Sequence, residues 1–205
     1  MSQADDLRLA ALVCSRLCHD LVGPAGAIAN GLELMADPAL AAEALTLTQT
    51  TSAQLNRRLA FYRRAYGTGD KLTWDEAHEV AAGLLQGSRH ELDWRGAPPG
   101  CGPEAARLAL NMLLCAMDAT PMGARLNVTC ETLPRVAAEG QVRHGGALAL
   151  ALADPDAPVS QTAPREAQPF LTARLARACG WRLVLDSQDD EHLVLALEGE
   201  ALAEV

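Results

Sequence analysis

Apolar or small residues at Leu7, Ala11, Cys14, Cys18, Leu21, Ala25, Ile28, Leu32 and Met35 follow one another at steps that alternate four and three. That spacing is a heptad seam, and it predicts one long helix packed at a shallow angle in a bundle. Asp37-Pro38 ends it, because proline disfavours the α region for the residue before it and suits the first turn of a following helix. A second seam runs through Ala41, Leu45, Thr48, Ser52, Leu55, Leu59, Tyr62 and Tyr66 before Gly67-Thr68-Gly69. The expectation is an antiparallel helical hairpin over residues 1–67. Two helices leave half of such a seam uncovered. A homodimer closing a four-helix bundle is the simplest cover, and docking of the hairpin on the rest of its own chain is the alternative.

Charge narrows the partners. Residues 1–66 carry six Lys+Arg against six Asp+Glu, so the whole net charge of −9 falls on residues 67–205. An acidic chain with no basic stripe and 3% aromatic residues lacks the footprint of a nucleic-acid binder. No apolar run reaches the roughly 18 residues of a membrane span, and Met1-Ser2-Gln3-Ala4-Asp5-Asp6 does not resemble a signal peptide. A cytoplasmic protein without a membrane partner is expected. Six cysteines without paired short spacings fit free thiols. Cys14, Cys18 and His19 share a helical neighbourhood but are too few for a metal site, so no metal or cofactor is expected.

One stretch breaks the rules of the helix that contains it. In Ser15-Arg16-Leu17-Cys18-His19-Asp20-Leu21-Val22-Gly23-Pro24, His19 follows a seam position and falls on its solvent flank. Ser15, Gly23, Gly26 and Asn30 share that face, where small residues let another protein's helices come close. Each helix-interior glycine costs about 1 kcal/mol against alanine. Pro24 offers no N–H to the carbonyl of Asp20, so a kink is expected beside His19. Local rules broken together at one place point to a functional site. A neutral imidazole is nucleophilic towards phosphorus near neutral pH, and Asp20 can keep its other ring nitrogen protonated. Arg16, one turn earlier, either neutralises phosphoryl charge or forms a surface ion pair. Arg57, Arg58, Arg63 and Arg64 suit the C-terminal end of the second helix electrostatically.

Residues 68–205 alternate strand and helix signals and predict a second, α/β sandwich domain with helices on one face of a mixed sheet. Expected strands are 71–74, 91–94, 125–132, 147–153, 181–186 and 192–197; expected helices are 76–86, 103–119 and 169–179. Asp154-Pro155-Asp156-Ala157-Pro158 through Pro169 reads as a proline-rich loop with little order of its own. The fold class is therefore α+β.

His-Asp-Leu-Val-Gly-Pro on the first helix of a hairpin, followed by an α/β sandwich, resembles the dimerisation and ATPase-like modules of histidine kinases. The chain is more similar still to ChpT-type histidine phosphotransferases, most strongly over residues 12–35. Kinases bind Mg-ATP with Asn-x-x-x-Asn; here the second position is Cys115 after Asn111, and a soft thiol is a poor Mg²⁺ ligand. The Asp-x-Gly-x-Gly turn of kinases corresponds to Asp154-Pro155-Asp156-Ala157-Pro158, without glycine, and their second glycine-rich loop to Ala167-Gln168-Pro169-Phe170. Kinases with phosphatase activity carry Thr, Asn or Gln four residues after the histidine, where this chain has Gly23.

The resemblance implies a phosphorelay intermediate that neither binds nor hydrolyses ATP. Its partners would be response-regulator receiver domains and a hybrid histidine kinase, the receivers supplying Mg²⁺. His19 and Asp20 would be the catalytic residues, with Arg16, Ser15, Gly23, Gly26 and Asn30 in the docking surface. An ATP-dependent histidine kinase with an atypical nucleotide site and a non-catalytic dimeric scaffold are the alternatives.

Overall fold

The computed structural model describes residues 3–67, 71–96, 101–143, 145–160 and 162–199. Helices α1 (Gln3–Leu34) and α2 (Ala41–Tyr66) form the hairpin. Between them Asp37 Oδ1 accepts a 2.9 Å bond from the Ala39 N–H, an Asx turn that starts the reversal. Thr68 and Gly69 of the expected terminator lie outside the described residues, while Gly67 N–H caps α2 by donating to Arg63 O at 3.0 Å.

The remainder is α3 (Trp74–Leu85), β1 (Glu91–Trp94), α4 (Pro103–Ala119), β2 (Arg125–Cys130), β3 (Pro134–Glu139), α5 (Gly146–Ala153), a short 3₁₀ turn (Pro164–Glu166), α6 (Ala167–Ala178), β4 (Arg182–Gln188) and β5 (His192–Glu198). The five strands lie in the order β1-β2-β3-β5-β4, with β1 and β2 parallel and the other neighbours antiparallel. Buried residues alternate along β2, β3 and β5, as a sheet with one covered face requires. The cover includes α4, which brings Leu108, Leu110, Met112 and Leu113 into the core essentially without exposure.

Two expected strands are corrected, and one strand is unexpected. Residues 71–73 are an approach to α3 rather than a strand: the Thr73 hydroxyl accepts from Glu76 N–H while the Glu76 carboxylate takes the Thr73 N–H, a capping box that starts a helix at Trp74. Residues 147–153 are helix α5. Their alternating Ala and Leu mimic a strand period, but both are among the strongest helix formers. Strand β3 goes unrecognised because alanines dilute it; it exists through its pairing with β2 and β5, which buries Val136 and Ala138.

The proline-rich loop is anchored rather than loose. Ala157 and Val159 are buried, Arg177 pairs with Asp156, and Arg174 Nε donates to Pro155 O at 2.9 Å. Both α1 and α2 are also pinned to the sandwich. Leu9, Leu12, Phe61, Tyr62 and Ala65 belong to the same hydrophobic core as α4 and α6, and Arg64–Glu76 and Arg174–Asp6 ion pairs flank the contact. Docking of the hairpin on its own chain, the alternative to dimerisation, is thus realised at its base.

That docking uses a different face of α1 from the heptad seam. Leu7, Ala11, Cys14, Cys18, Ala25 and Leu32 of the seam are exposed, joined by Val22, while Leu9, Leu12, Arg16 and Gly31 turn inward. On α2 the exposed Leu45 and Leu59 continue the apolar surface.

Candidate functional site

The α1 helix holds His19 outward, with its side chain 66% exposed. Its Nδ1 lies 3.5 Å from Asp20 Oδ1, leaving Nε2 as the ring nitrogen turned from the acid. The pair is fixed from α2. Asp20 Oδ2 accepts a 2.7 Å hydrogen bond from the Tyr62 hydroxyl. The backbone carbonyl of Asp20 is the one Pro24 cannot bond, and Arg58 Nη1 donates to it at 3.0 Å. The defect that proline makes in the ladder is therefore filled by a guanidinium from the neighbouring helix, and α1 continues through it as helix. Burial first, and then the bond to Asp20, raises the Tyr62 pKa above the ordinary phenol value, so the hydroxyl stays a proton donor.

Arg16 departs from its expected place on a docking surface. It is buried, and its guanidinium donates two bonds to the Asp118 carboxylate, at 2.6 and 2.9 Å, plus a 3.3 Å bond to Arg165 O. Burial disfavours its charge, but the bonds to Asp118 outweigh that, and its pKa lies above the ordinary value. Arg16 also lies 3.9 Å from Asp20 Oδ2. It thus ties α1 to α4.

Ser15, Gly23, Gly26 and Asn30 are all exposed. A Cβ built on Gly23 or Gly26 meets nothing within 4 Å, so packing inside the chain does not require either glycine. The glycine required by hairpin packing is Gly31, where a Cβ would come within 2.2 Å of Thr48 Oγ1. Beside the site an open groove of about 540 Å³ runs between α1 and the sandwich, lined among others by Arg16, Asp20, Asp118, Arg143, Arg165 and Glu166.

Asn111 and Cys115 face inward on α4. Asn111 donates to Ala65 O and Arg107 O, each at 2.9 Å, and its carbonyl accepts from Gln168 Nε2 at 2.9 Å. Gln168 in turn accepts a 2.7 Å bond from the Tyr66 hydroxyl. This network joins α2, α4 and α6. Burial pushes the Cys115 thiol up to about 12, so at neutral pH it is not a thiolate; it contacts Thr172 Oγ1 at 3.4 Å. Among the described residues no group of three or more His, Cys, Asp or Glu could hold a metal ion.

Sequence reasoning missed Tyr62, Arg58 and Asp118. Pro24 signals that the Asp20 carbonyl needs a donor, but which α2 residue supplies it depends on how the two helices face each other.

Residues 74–191 match the family model of the histidine phosphotransferase C-terminal domain. Over 194 residues the chain is 31% identical to the protein phosphotransferase ChpT of Brucella abortus (strain 2308), covering 90% of this chain and 93% of that protein. A solved bacterial phosphotransferase superposes with a TM-score of 0.78 at 30% identity, over 97% of this chain and 98% of the other.

Proposed function

We propose that this chain, which belongs to the histidine phosphotransferase family, carries a phosphoryl group between receiver aspartates of a two-component phosphorelay on His19. The observation that carries the assignment is the exposed imidazole whose Nδ1 faces Asp20 while Nε2 is open. In the first half-reaction the Nε2 lone pair attacks the phosphorus of a receiver aspartyl phosphate. The P–O bond to the carboxylate breaks, and the carboxylate leaves with the electron pair. The phosphorylated ring keeps its Nδ1 proton and with it a positive charge, which Asp20 stabilises. A second receiver carboxylate reverses the step. By resemblance, each receiver brings its own Mg²⁺ and the chain itself needs no cofactor.

The uncovered stripe from Leu7 to Leu32, with Leu45 and Leu59, supports a homodimer in which two hairpins close a four-helix bundle. Ser15, Gly23, Gly26 and Asn30 leave room beside His19 for the receiver helices. A hybrid histidine kinase would feed the relay. No helix among the described residues is long and apolar enough to cross a membrane, which suits a cytoplasmic carrier. The burial of Asn111 and Cys115 favours a chain that works without ATP over an atypical kinase, and tight Mg-ATP binding in a calorimeter would reverse that reading.

The deciding experiment is transfer of radiolabel from a phosphorylated receiver, without ATP, to the wild type and to His19→Ala. Acid-labile, base-stable label on the wild type alone is expected. Equal label on both proteins would move the acceptor elsewhere, and none on either would leave a scaffold.

A further inference from the structure

We infer that Tyr62 is a positioning residue for the phosphoacceptor: its hydroxyl, on α2, clamps the Asp20 carboxylate so that Oδ1 stays turned to Nδ1 of His19. The inference rests on the reading of His19 as acceptor. Neighbouring residues on a helix do not face each other, and a 3.5 Å separation is at the limit of a hydrogen bond. Without Tyr62, the partly exposed Asp20 side chain would keep only the 3.9 Å approach of Arg16 to Oδ2 and would divide its time among rotamers. The 2.7 Å bond from Tyr62 to Oδ2 removes that freedom and leaves Oδ1 for the imidazole. Arg58, on the Asp20 carbonyl at 3.0 Å, holds the backbone of the same residue.

Tyr62 can act as a clamp because it is itself fixed. It is buried, its ring stacks on Tyr66 with centroids 5.6 Å apart, and it meets the Phe61 ring edge-on at 6.1 Å. The chain of contacts runs Tyr62 hydroxyl, Asp20 carboxylate, His19 Nδ1–H. Its chemical result is to favour the tautomer with the proton on Nδ1, whose Nε2 lone pair is the nucleophile.

Tyr62→Phe keeps the ring contacts and deletes only the donor. Nitrogen-15 NMR of the ring-labelled full chain reads the tautomer directly. The wild type should show His19 predominantly protonated on Nδ1, and Tyr62→Phe should shift it towards Nε2–H. Label transfer should slow by roughly threefold to tenfold, the net worth of one ordinary hydrogen bond. In an Asp20→Ala background the same substitution should slow transfer no further, because the clamp then has nothing to hold.

An unmoved tautomer, or an equal slowing by Tyr62→Phe with and without Asp20, would overturn the clamp. Failure of the acceptor reading looks different: His19→Ala would keep its label, whatever Tyr62→Phe does to the ring nitrogens.

Discussion

Arg16 and Asp118 stand 102 positions apart in the chain and meet in a two-armed ion pair of 2.6 and 2.9 Å. Arg16 is buried where it leaves the hairpin and enters the sandwich, so removing its partner strands a charge away from water. Asp118→Ala should destabilise the fold by about 2 kcal/mol, the scale of a lost hydrogen bond to a charged group. Arg16→Met, which removes the charge and keeps the bulk, should cost less than Asp118→Ala. Urea unfolding of the two variants at one pH checks the order.

Pro24→Ala returns an N–H to the turn below Asp20. The repaired ladder should stabilise the chain by about 1 to 3 kcal/mol, the range set by proline in a helix interior. The restored bond competes with Arg58 for the Asp20 carbonyl and loosens the hold of α2 on the site. Thermal unfolding should therefore show a higher midpoint while label transfer to His19 slows. A variant gaining stability with transfer unchanged would mean that the Arg58 contact is idle.

The apolar stripe on the hairpin sets the expected assembly. Leu32→Glu together with Leu45→Glu places charges on that stripe, both at exposed positions where they leave the core of the single chain untouched. Sedimentation velocity should find the wild type at twice the 21.7 kDa chain mass and the double variant at the single mass. Circular dichroism of the double variant should match the wild type.

The hairpin was legible because two heptad seams and Asp37-Pro38 specify helix, break and helix without reference to anything distant. The stretch around His19 stood out as a candidate for a related reason: glycine and proline beside it contradict their own helix. What the seam did not reveal was which face of α1 meets the sandwich. Leu9 and Leu12 lie off the seam yet are buried, because tertiary packing chose a face that periodicity does not single out. Arg16 illustrates the same limit, since its partner Asp118 belongs to a helix that sequence spacing cannot orient. In the sheet, β3 took its strand form from its neighbours rather than from its own alanine-rich composition, and α5 followed residue propensity where alternation suggested a strand. Tyr62 read as one more seam residue; only the approach of α2 to α1 turns its hydroxyl towards Asp20.

His90 gives the fold an acid dependence with a definite sign. Its Nε2 lies 2.9 Å from Thr120 O at the edge of β1, and burial, partly offset by that bond, depresses its pKa below the ordinary 6.5. The unfolded chain therefore binds the proton first. As pH falls from neutrality through about 6.5 and on to the lower folded value, this residue removes stability, and above that window it has no effect. His90→Gln preserves a donor for Thr120 O and cannot titrate. The drop in unfolding midpoint between pH 7.5 and pH 5.5 should be smaller in His90→Gln than in the wild type. Parallel drops in the two proteins would place the acid sensitivity on other groups.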